Sequence, residues 1–493
     1  MKLFKRREKP SWWVSLIPFV VLVAVLFVVI KVFGDGALDG ASQVALLLAT
    51  GVTVAISMLF YRVPWKEFEE GILDNIRAVG TSILILLLIG AVSGSWMISG
   101  VVPSMIYYGT KLIIPEIFLF AACGICAIIS VMTGSSWTTI ATVGVALVGI
   151  GTAQGYHPGW IAGAIISGAY FGDKISPLSD TTVLASSSAG TPLFTHIRCM
   201  LVTTIPSFVI AMIVFLVVSL MHKSTGDMQA VAFAKDLKET FVISPWLLLV
   251  PVATGFLIAK KVPAMLTLFV AAAIAGVVAI LVQPHIISQV ACAGSEAGET
   301  AIKSVRDLSF FDGFKGSMMT YYGPTAIDTG NPELNDLVST RGMTGMMNTI
   351  FLIIASVAFG GALVGSGMLQ SLTDKLTHFI RRRTTMVSAT VGTGIFSNMV
   401  TGDQYLSIIL TSSLYKKLYQ EKGYEPKLLS RSVEDSATVV SVLIPWNSCG
   451  MTQATVLGIS TLTYLPYCIF NLVSPLMSIF IAAIGYKIVR KSK

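Results

Sequence analysis

The sequence predicts an all-α polytopic membrane protein, and three observations carry that expectation. Of its 493 residues 54% are hydrophobic and only 12% charged, about half the charged fraction of a soluble domain, and the mean hydropathy is +0.78. Uninterrupted apolar runs recur, each near the ~20 residues that a helix needs to cross a ~30 Å hydrocarbon core. Basic residues cluster at the ends of these runs: KLFKRREK at the start, Arg62 and Lys66, Lys260 and Lys261, Arg381 to Arg383, Lys416 to Arg431, and KIVRKSK at the end. A net charge of +8 laid out in this way is what the excess of Lys and Arg in cytoplasmic loops produces. It points to a lipid bilayer as the surroundings and gives no reason to expect a nucleic acid partner.

The elements follow in order. Val14 to Val32 is apolar behind a basic flank. A signal peptide is the competing reading, but the stretch is long for one and no A-x-A site follows, so 12–33 is expected as an uncleaved first span. Spans at 41–61 and 79–100 come next. The apolar stretch 117–150 has a polar break in its middle, Thr133-Gly134-Ser135-Ser136-Trp137, and reads as a hairpin. Span 160–189 holds Asp173, Lys174 and Asp180 and is interrupted at Ile175-Ser176-Pro177, because Pro177 lacks an N–H and clashes with the preceding turn. Spans at 198–221, 246–260 and 263–283 lead to a long loop, 284–344, with room for an interfacial helix, a lid or a pair of short helices. After span 345–370 a second hairpin is expected at 385–415, its break running from Asn398 to Tyr405. Span 431–462 breaks at LIPWNSCG, and span 464–488 is the last.

Ten spans and two re-entrant hairpins place both termini and the basic clusters in the cytoplasm, and 34–40, 101–116, 151–159, 222–245 and 284–344 outside. The chain then divides into 1–221 and 246–493, joined by an outer linker at 222–245. Each half has five spans and one hairpin, and an odd number of spans forces the halves into opposite orientations. A repeat supports the division. Thr133-Gly134, Gly155-Tyr156, Pro158 and Pro177 match Thr401-Gly402, Gly423-Tyr424, Pro426 and Pro445 at one constant offset of 268. Inverted repeats with helices broken at mid-membrane recur among secondary transporters.

The broken helices are where chemistry is expected. Backbone carbonyls freed by a break are costly in lipid unless they line a cavity enclosed by protein, and carboxylates inside a span are functional by default. Asp173, Asp180 and Asp403 are therefore the leading candidates for binding a cation. Thr133, Ser135, Ser136, Ser176, Thr181, Asn398, Thr401, Asn447 and Ser448 supply neutral oxygens. This oxygen set suits Na+, a hard ion, and burial in low dielectric favours the protonated form of a carboxylate, so one carboxylate can hold either a proton or Na+. Lys174, Glu434 and Asp435 are secondary candidates. Competing structural readings exist: an Asp173–Lys174 ion pair, Asp180 and Asp403 as helix caps, and Glu434-Asp435 as an interfacial acidic pair. Cys123 and Cys126 form a C-x-x-C inside an apolar segment and read as packing residues. GIGTAQG at Gly149 to Gly155 has no strand–turn–helix context. No nucleophile–base pair or cofactor motif is present, so neither an enzyme nor a cofactor is expected.

GSSWTTIATVG, GAIISGAYFGDKISPLSDTTVLASS, STRGMTGMMNTI, TGDQYLSIILTSSLYKKLY and SRSVEDSATVVSVLIPWNSCGMTQATVLG resemble the NhaC family of Na+/H+ antiporters, over about 75–470. The resemblance implies Na+ and H+ as substrates, a place in the cell membrane, a homodimer, and a plan similar to the ion transporter superfamily. In that plan hairpins and broken helices form a transport unit that moves as an elevator against a scaffold. The family also contains exchangers similar to malate/lactate antiporters. That alternative requires a site for an organic anion, for which Lys174, the hairpin tips and Asn447 are the candidates.

Overall fold

The computed structural model describes residues 10–33, 40–222, 235–260, 262–292, 308–325, 338–377 and 382–486, with 327, 329 and 335 between. The described residues are helical throughout; their only β feature is an isolated bridge between Thr325 and Thr340. In chain order the helices are α1 (Trp12–Phe33), α2 (Ala41–Tyr61), α3 (Trp65–Ile98), α4 (Val101–Leu112), α5 (Phe118–Thr133), α6 (Ser136–Ala153), α7 (Pro158–Ile175), α8 (Asp180–Ala189), α9 (Leu193–Met221), α10 (Leu249–Ala259) and α11 (Ala264–Val282). They continue with α12 (Pro284–Cys292), α13 (Phe310–Tyr322), α14 (Gly342–Ser366), α15 (Met368–Thr377), α16 (Arg383–Thr401), α17 (Gln404–Glu421), α18 (Pro426–Val433), α19 (Ser448–Leu457), α20 (Thr461–Tyr464) and α21 (Ile469–Ile484).

Among the described residues eight helices are long and apolar enough to cross a membrane, and a ninth if Thr461–Tyr467 and Ile469–Ile484, bent by 55°, count as one. This differs from a count of ten for a physical reason. The expected spans 160–189 and 431–462 are each split by a proline-containing break, which leaves the 18-residue α7 with Asp173 and Lys174 in its last turn and only shorter pieces elsewhere. The expected span 246–260 holds only a short apolar helix, Pro245–Leu257. The expected hairpin 117–150, by contrast, has two arms that each pass the test, Pro115–Thr133 and Ser136–Ala153. The first span falls at the expected bounds, and α3 begins well before residue 79 as a 34-residue helix. The long loop holds a pair of short helices, α12 and α13, packed on each other and on the neighbouring spans.

Packing positions the breaks. Helix α5 lies along α7, which keeps the first turn motif beside the first broken helix, and α16, α17 and α8 pack together around the second. Helices α2, α3, α11 and α14 form a separate layer in which α3 contacts both α11 and α14. The largest buried cluster draws on α1, α2, α5–α7, α14 and the segment around 439–470, so one apolar core joins these parts.

Candidate functional site

Two short turns of the same build organise the site. Gly134 and Gly402 end α5 and α16 with φ of +69° and +63°, in the left-handed region. Glycine adopts that conformation without the Cβ penalty, which is why it follows the last residue of many helices. The next residue caps the following helix: Ser135 Oγ accepts from the Thr138 N–H at 3.2 Å, and Asp403 Oδ1 accepts from the Leu406 N–H at 3.0 Å. Ser and Asp are preferred there because they satisfy a backbone donor the helix leaves free. A Thr-Gly-Ser or Thr-Gly-Asp triplet thus stops one helix and starts the next with two intervening residues.

The hydrogen bonds around these turns recur at the offset seen in the sequence. Thr139 Oγ1 donates to the Ser135 carbonyl at 2.9 Å, and Ser407 Oγ to the Asp403 carbonyl at 2.8 Å. The Ser135 N–H donates to Thr133 Oγ1 at 3.2 Å, and the Asp403 N–H to Thr401 Oγ1 at 3.3 Å. Each turn is also tied to a broken helix. Ser130 Oγ donates to the Ala169 carbonyl at 2.5 Å, and Asn398 Nδ2 to the Ala437 carbonyl at 2.6 Å. At the breaks, Ser179 Oγ accepts from the Thr182 N–H at 3.3 Å to cap α8, and Asn447 Oδ1 from the Cys449 N–H at 3.0 Å to cap α19. Asp180 is therefore the first residue of α8 and not its cap, whereas Asp403 does cap α17.

A cavity of about 350 Å³ opens where the first turn meets the first break. Asp173 and Asp180 line it with Thr133, Ser135, Thr138, Thr181, Gln404 and Tyr405; Ile85 and the 262–264 segment complete its wall with Trp137, Leu178 and Gly134. Asp173 is 5% exposed and held by Ser136, whose N–H and Oγ donate to Oδ2 at 3.2 and 2.7 Å. Asp180 is exposed, so the pair has one fixed and one accessible carboxylate. Asp403 does not line the cavity: it is buried, and Ser448 Oγ donates to its Oδ2 at 3.0 Å. Tyr405, which lines the cavity, lies within electrostatic reach of Asp173, Asp180 and Asp403.

Of the expected oxygen ligands, Thr133, Ser135 and Thr181 reach the cavity. Ser136 is engaged by Asp173, and Ser176 Oγ donates to the Val131 carbonyl at 2.8 Å, tying the break to α5. Asn398, Thr401, Asn447 and Ser448 belong to the second turn and break, where Asn447 Nδ2 donates to the Asn398 carbonyl and Oδ1, each at 3.2 Å.

Two of the competing readings and one loop charge are corrected. Lys174 pairs not with Asp173 but with Asp435, because successive helix residues point about 100° apart. The Lys174 ammonium donates to Asp435 Oδ1 and, at 2.8 Å, to Ser474 Oγ. Glu434 and Asp435 are not interfacial; both are fully buried, at the start of a π-helical turn, Glu434–Thr438. Arg431, counted with the basic loop, is likewise wholly buried, its Nε 4.0 Å from Asp435 Oδ2. Counting positive charges by loop fails here because α18 starts at Pro426 and carries Arg431 inward to a counter-charge. Thr203 Oγ1 also donates to Asp435 Oδ1, at 3.0 Å.

Sequence reasoning missed Trp137, Thr138, Gln404 and Tyr405 in the cavity, and Arg431, Thr203 and Ser474 around Lys174. Gln404 and Tyr405 adjoin Asp403, and Thr138 lies one helical turn past Ser135, so a helix started at each turn would have found them. Thr203 and Ser474 are lone hydroxyls in apolar helices and carry no such signal.

The sequence matches the Na+/H+ antiporter family over residues 10–191 and 168–486. It is 37% identical to the Na+/H+ antiporter NhaC of Alkalihalophilus pseudofirmus over 428 residues, 86% of this chain and 87% of that one. To the Na+/H+ antiporter NhaC of Bacillus subtilis it is 34% identical over 88% of this chain and 91% of that one. A malate-2H+/Na+-lactate antiporter of Bacillus subtilis is 34% identical over 87% of this chain and 86% of its own.

Proposed function

We propose that this chain, which belongs to the Na+/H+ antiporter family, exchanges Na+ for H+ across the membrane it spans, with Asp173 and Asp180 holding the two ions in turn. The observation that carries the reading is the cavity. It combines two carboxylates with hydroxyl and amide oxygens, and none of the described residues that line it is basic. A carboxylate in such a place is compensated either by a proton or by a hard cation with oxygen ligands. Competition between the two is enough for exchange, since each ion leaves as the other arrives. Ser135, Thr133 and Thr181 complete the coordination of Na+, and Ser136 orients Asp173. Asp403, Ser448, Thr401, Asn398, Asn447 and Ser176 hold the turns against the breaks.

The matched hydrogen bonds support an inverted repeat of 1–221 and 246–493, with re-entrant turns at 117–150 and 385–415. In this reading both termini are cytoplasmic, the chain lies in the cell membrane as a homodimer, and the turns and broken helices move together as an elevator. Exchange of an organic acid has the malate/lactate relative in its favour. It needs a free cation in the site, and the candidate, Lys174, is bound to Asp435.

Purified protein in proteoliposomes, given Na+, malate and lactate separately against a pH gradient, tests the reading. Na+ alone is expected to move protons. Proton movement that requires malate or lactate would replace this reading with the organic acid one.

A further inference from the structure

The cavity is large for the ion it is proposed to carry. A water takes up about 30 Å³ of liquid, so about 350 Å³ has room for roughly ten water-sized groups. A bare Na+ is smaller than one water. Sites for small organic molecules begin near this volume, at roughly 300 Å³, and combine apolar walls with a few placed polar groups.

The lining has that two-sided character. Asp173 and Asp180 supply the charge, with Ser135, Thr138 and Thr181 beside them as hydrogen-bond acceptors. Ile85 of α3 and the Val262-Pro263-Ala264 segment before α11 supply apolar surface from elements that carry no carboxylate here. Trp137 and Tyr405 add aromatic rings to the lining, and the faces of such rings attract cations through the ring quadrupole. Among the described lining residues an organic anion would meet two carboxylates and no basic group. A neutral solute would leave both carboxylates to be compensated by protons.

We propose that the cavity also binds small aliphatic primary ammonium ions, the ammonium on Asp173 and Asp180 and the alkyl chain against Ile85, Val262, Pro263 and Ala264. The ammonium N–H groups donate to the carboxylates as charge-assisted hydrogen bonds. The chain replaces water along the apolar wall. Each methylene buried there tightens binding about fourfold, until the cavity is full. The inference rests on the reading above only in taking this cavity as the place where cargo binds.

Isothermal titration calorimetry of the purified full-length protein with methyl-, ethyl-, propyl- and n-butylammonium chloride tests it, with n-butanol and sodium butyrate as controls. Calorimetry avoids the collapse of pH gradients that permeant amines cause in vesicles. Saturable binding is expected, tightening about fourfold per methylene, absent for butanol and butyrate, and weakened at least tenfold in Asp180→Asn. Absence of binding, affinity independent of chain length, or equal binding of butanol overturns the proposal, and the wild-type series decides it even if the variant does not fold. Movement of radioactive Na+ by the same preparation separates the two readings. Na+ exchange without ammonium binding defeats this inference alone, and ammonium binding without Na+ exchange defeats the Na+/H+ reading alone.

Discussion

Asp435 is an anion shared by two buried cations, and removing it should damage the protein more than removing either partner. Its Oδ1 receives the Lys174 ammonium and the Thr203 hydroxyl, and its Oδ2 lies 4.0 Å from Arg431 Nε. All three charged side chains are fully buried. Asp435→Asn keeps the shape but strands both cations, and breaking a buried pair in this way costs about 3–5 kcal/mol. Lys174→Met keeps the aliphatic stem, and Asp435 retains Arg431 and Thr203. The loss is then that of charge-assisted hydrogen bonds, about 1.5–3 kcal/mol. The double variant strands Arg431 alone, which cannot lose its proton, and should lie between the two. Thermal unfolding of the purified proteins in detergent, followed by tryptophan fluorescence, gives the order. The reasoning is refuted if Lys174→Met is as destabilising as Asp435→Asn, or if the double variant is the worst of the three.

Asp173→Asn should abolish Na+-driven proton movement in proteoliposomes while the protein remains folded, and comparison with Asp403→Asn assigns the ion-carrying role, since Asp403 lies off the cavity; wild-type rates in Asp173→Asn would move that role elsewhere. A proton competing for the carboxylate that binds Na+ must weaken Na+ binding as pH falls. Apparent Na+ affinity should therefore decline at low pH, by up to tenfold per unit for one competing proton, and level off at high pH; a titration of transport against Na+ at several pH values reads this directly. Gly134→Ala and Gly402→Ala force a side chain into left-handed backbone, a penalty of about 1–2 kcal/mol, and a Cβ on Gly134 would also lie 2.6 Å from the Leu178 carbonyl carbon. Both should lower the unfolding temperature, and an unchanged value for Gly134→Ala would show that the turn relaxes freely. Thr152→Cys and Gln420→Cys occupy equivalent, exposed positions at the ends of α6 and α17; in a background without native cysteines an impermeant thiol reagent should label them from opposite sides, and labelling from one side would end the inverted reading.

The breaks and turns were legible in the sequence because their causes are local. Pro177 and Pro445 lack the N–H that a continuing helix needs, and here each stands at a break, unlike Pro18, Pro206 and Pro475 inside helices; Thr-Gly followed by Ser or Asp is a stop and a start in consecutive residues. The destination of Lys174 was not legible. Its neighbour in sequence is Asp173, but its partner is 261 positions away, and α9 and α21, which pack on both α7 and the segment after α18, bring Asp435 to it. Arg431 misled for a related reason: charge counted along a chain assumes a loop, while burial with a counter-charge is a property of three dimensions. The cavity was half legible. Its carboxylates and hydroxyls stood out against apolar flanks, whereas Ile85 and the 262–264 segment look like any other apolar or loop residues until something polar faces them.

The recurring hydrogen bonds and the charges obey different rules. The bonds that hold turns to breaks use backbone groups and short polar side chains at matching positions, so the same scaffold forms twice. The charges do not match. Asp403 stands where the first segment has Ser135, Asp180 where the second has Ser448, and Asp173 where the second has Ser441. Lys174 and Asp435 correspond to Val442 and Ser167, yet they pair with each other. Most of the matched bonds use only neutral groups, so the ionisable groups can differ between the segments, although Asp173 and Asp403 also accept from Ser136 and Ser448. Matching carboxylates at both places would have crowded like charges in a low-dielectric interior, where each disfavours ionisation of the other. Instead the carboxylates of one segment open into the cavity and that of the other caps a helix, while the ion pair ties the two segments together at unlike positions. Two turn-and-break segments with matching hydrogen bonds therefore carry unlike charges, and the carboxylates that open into the cavity belong to the first alone.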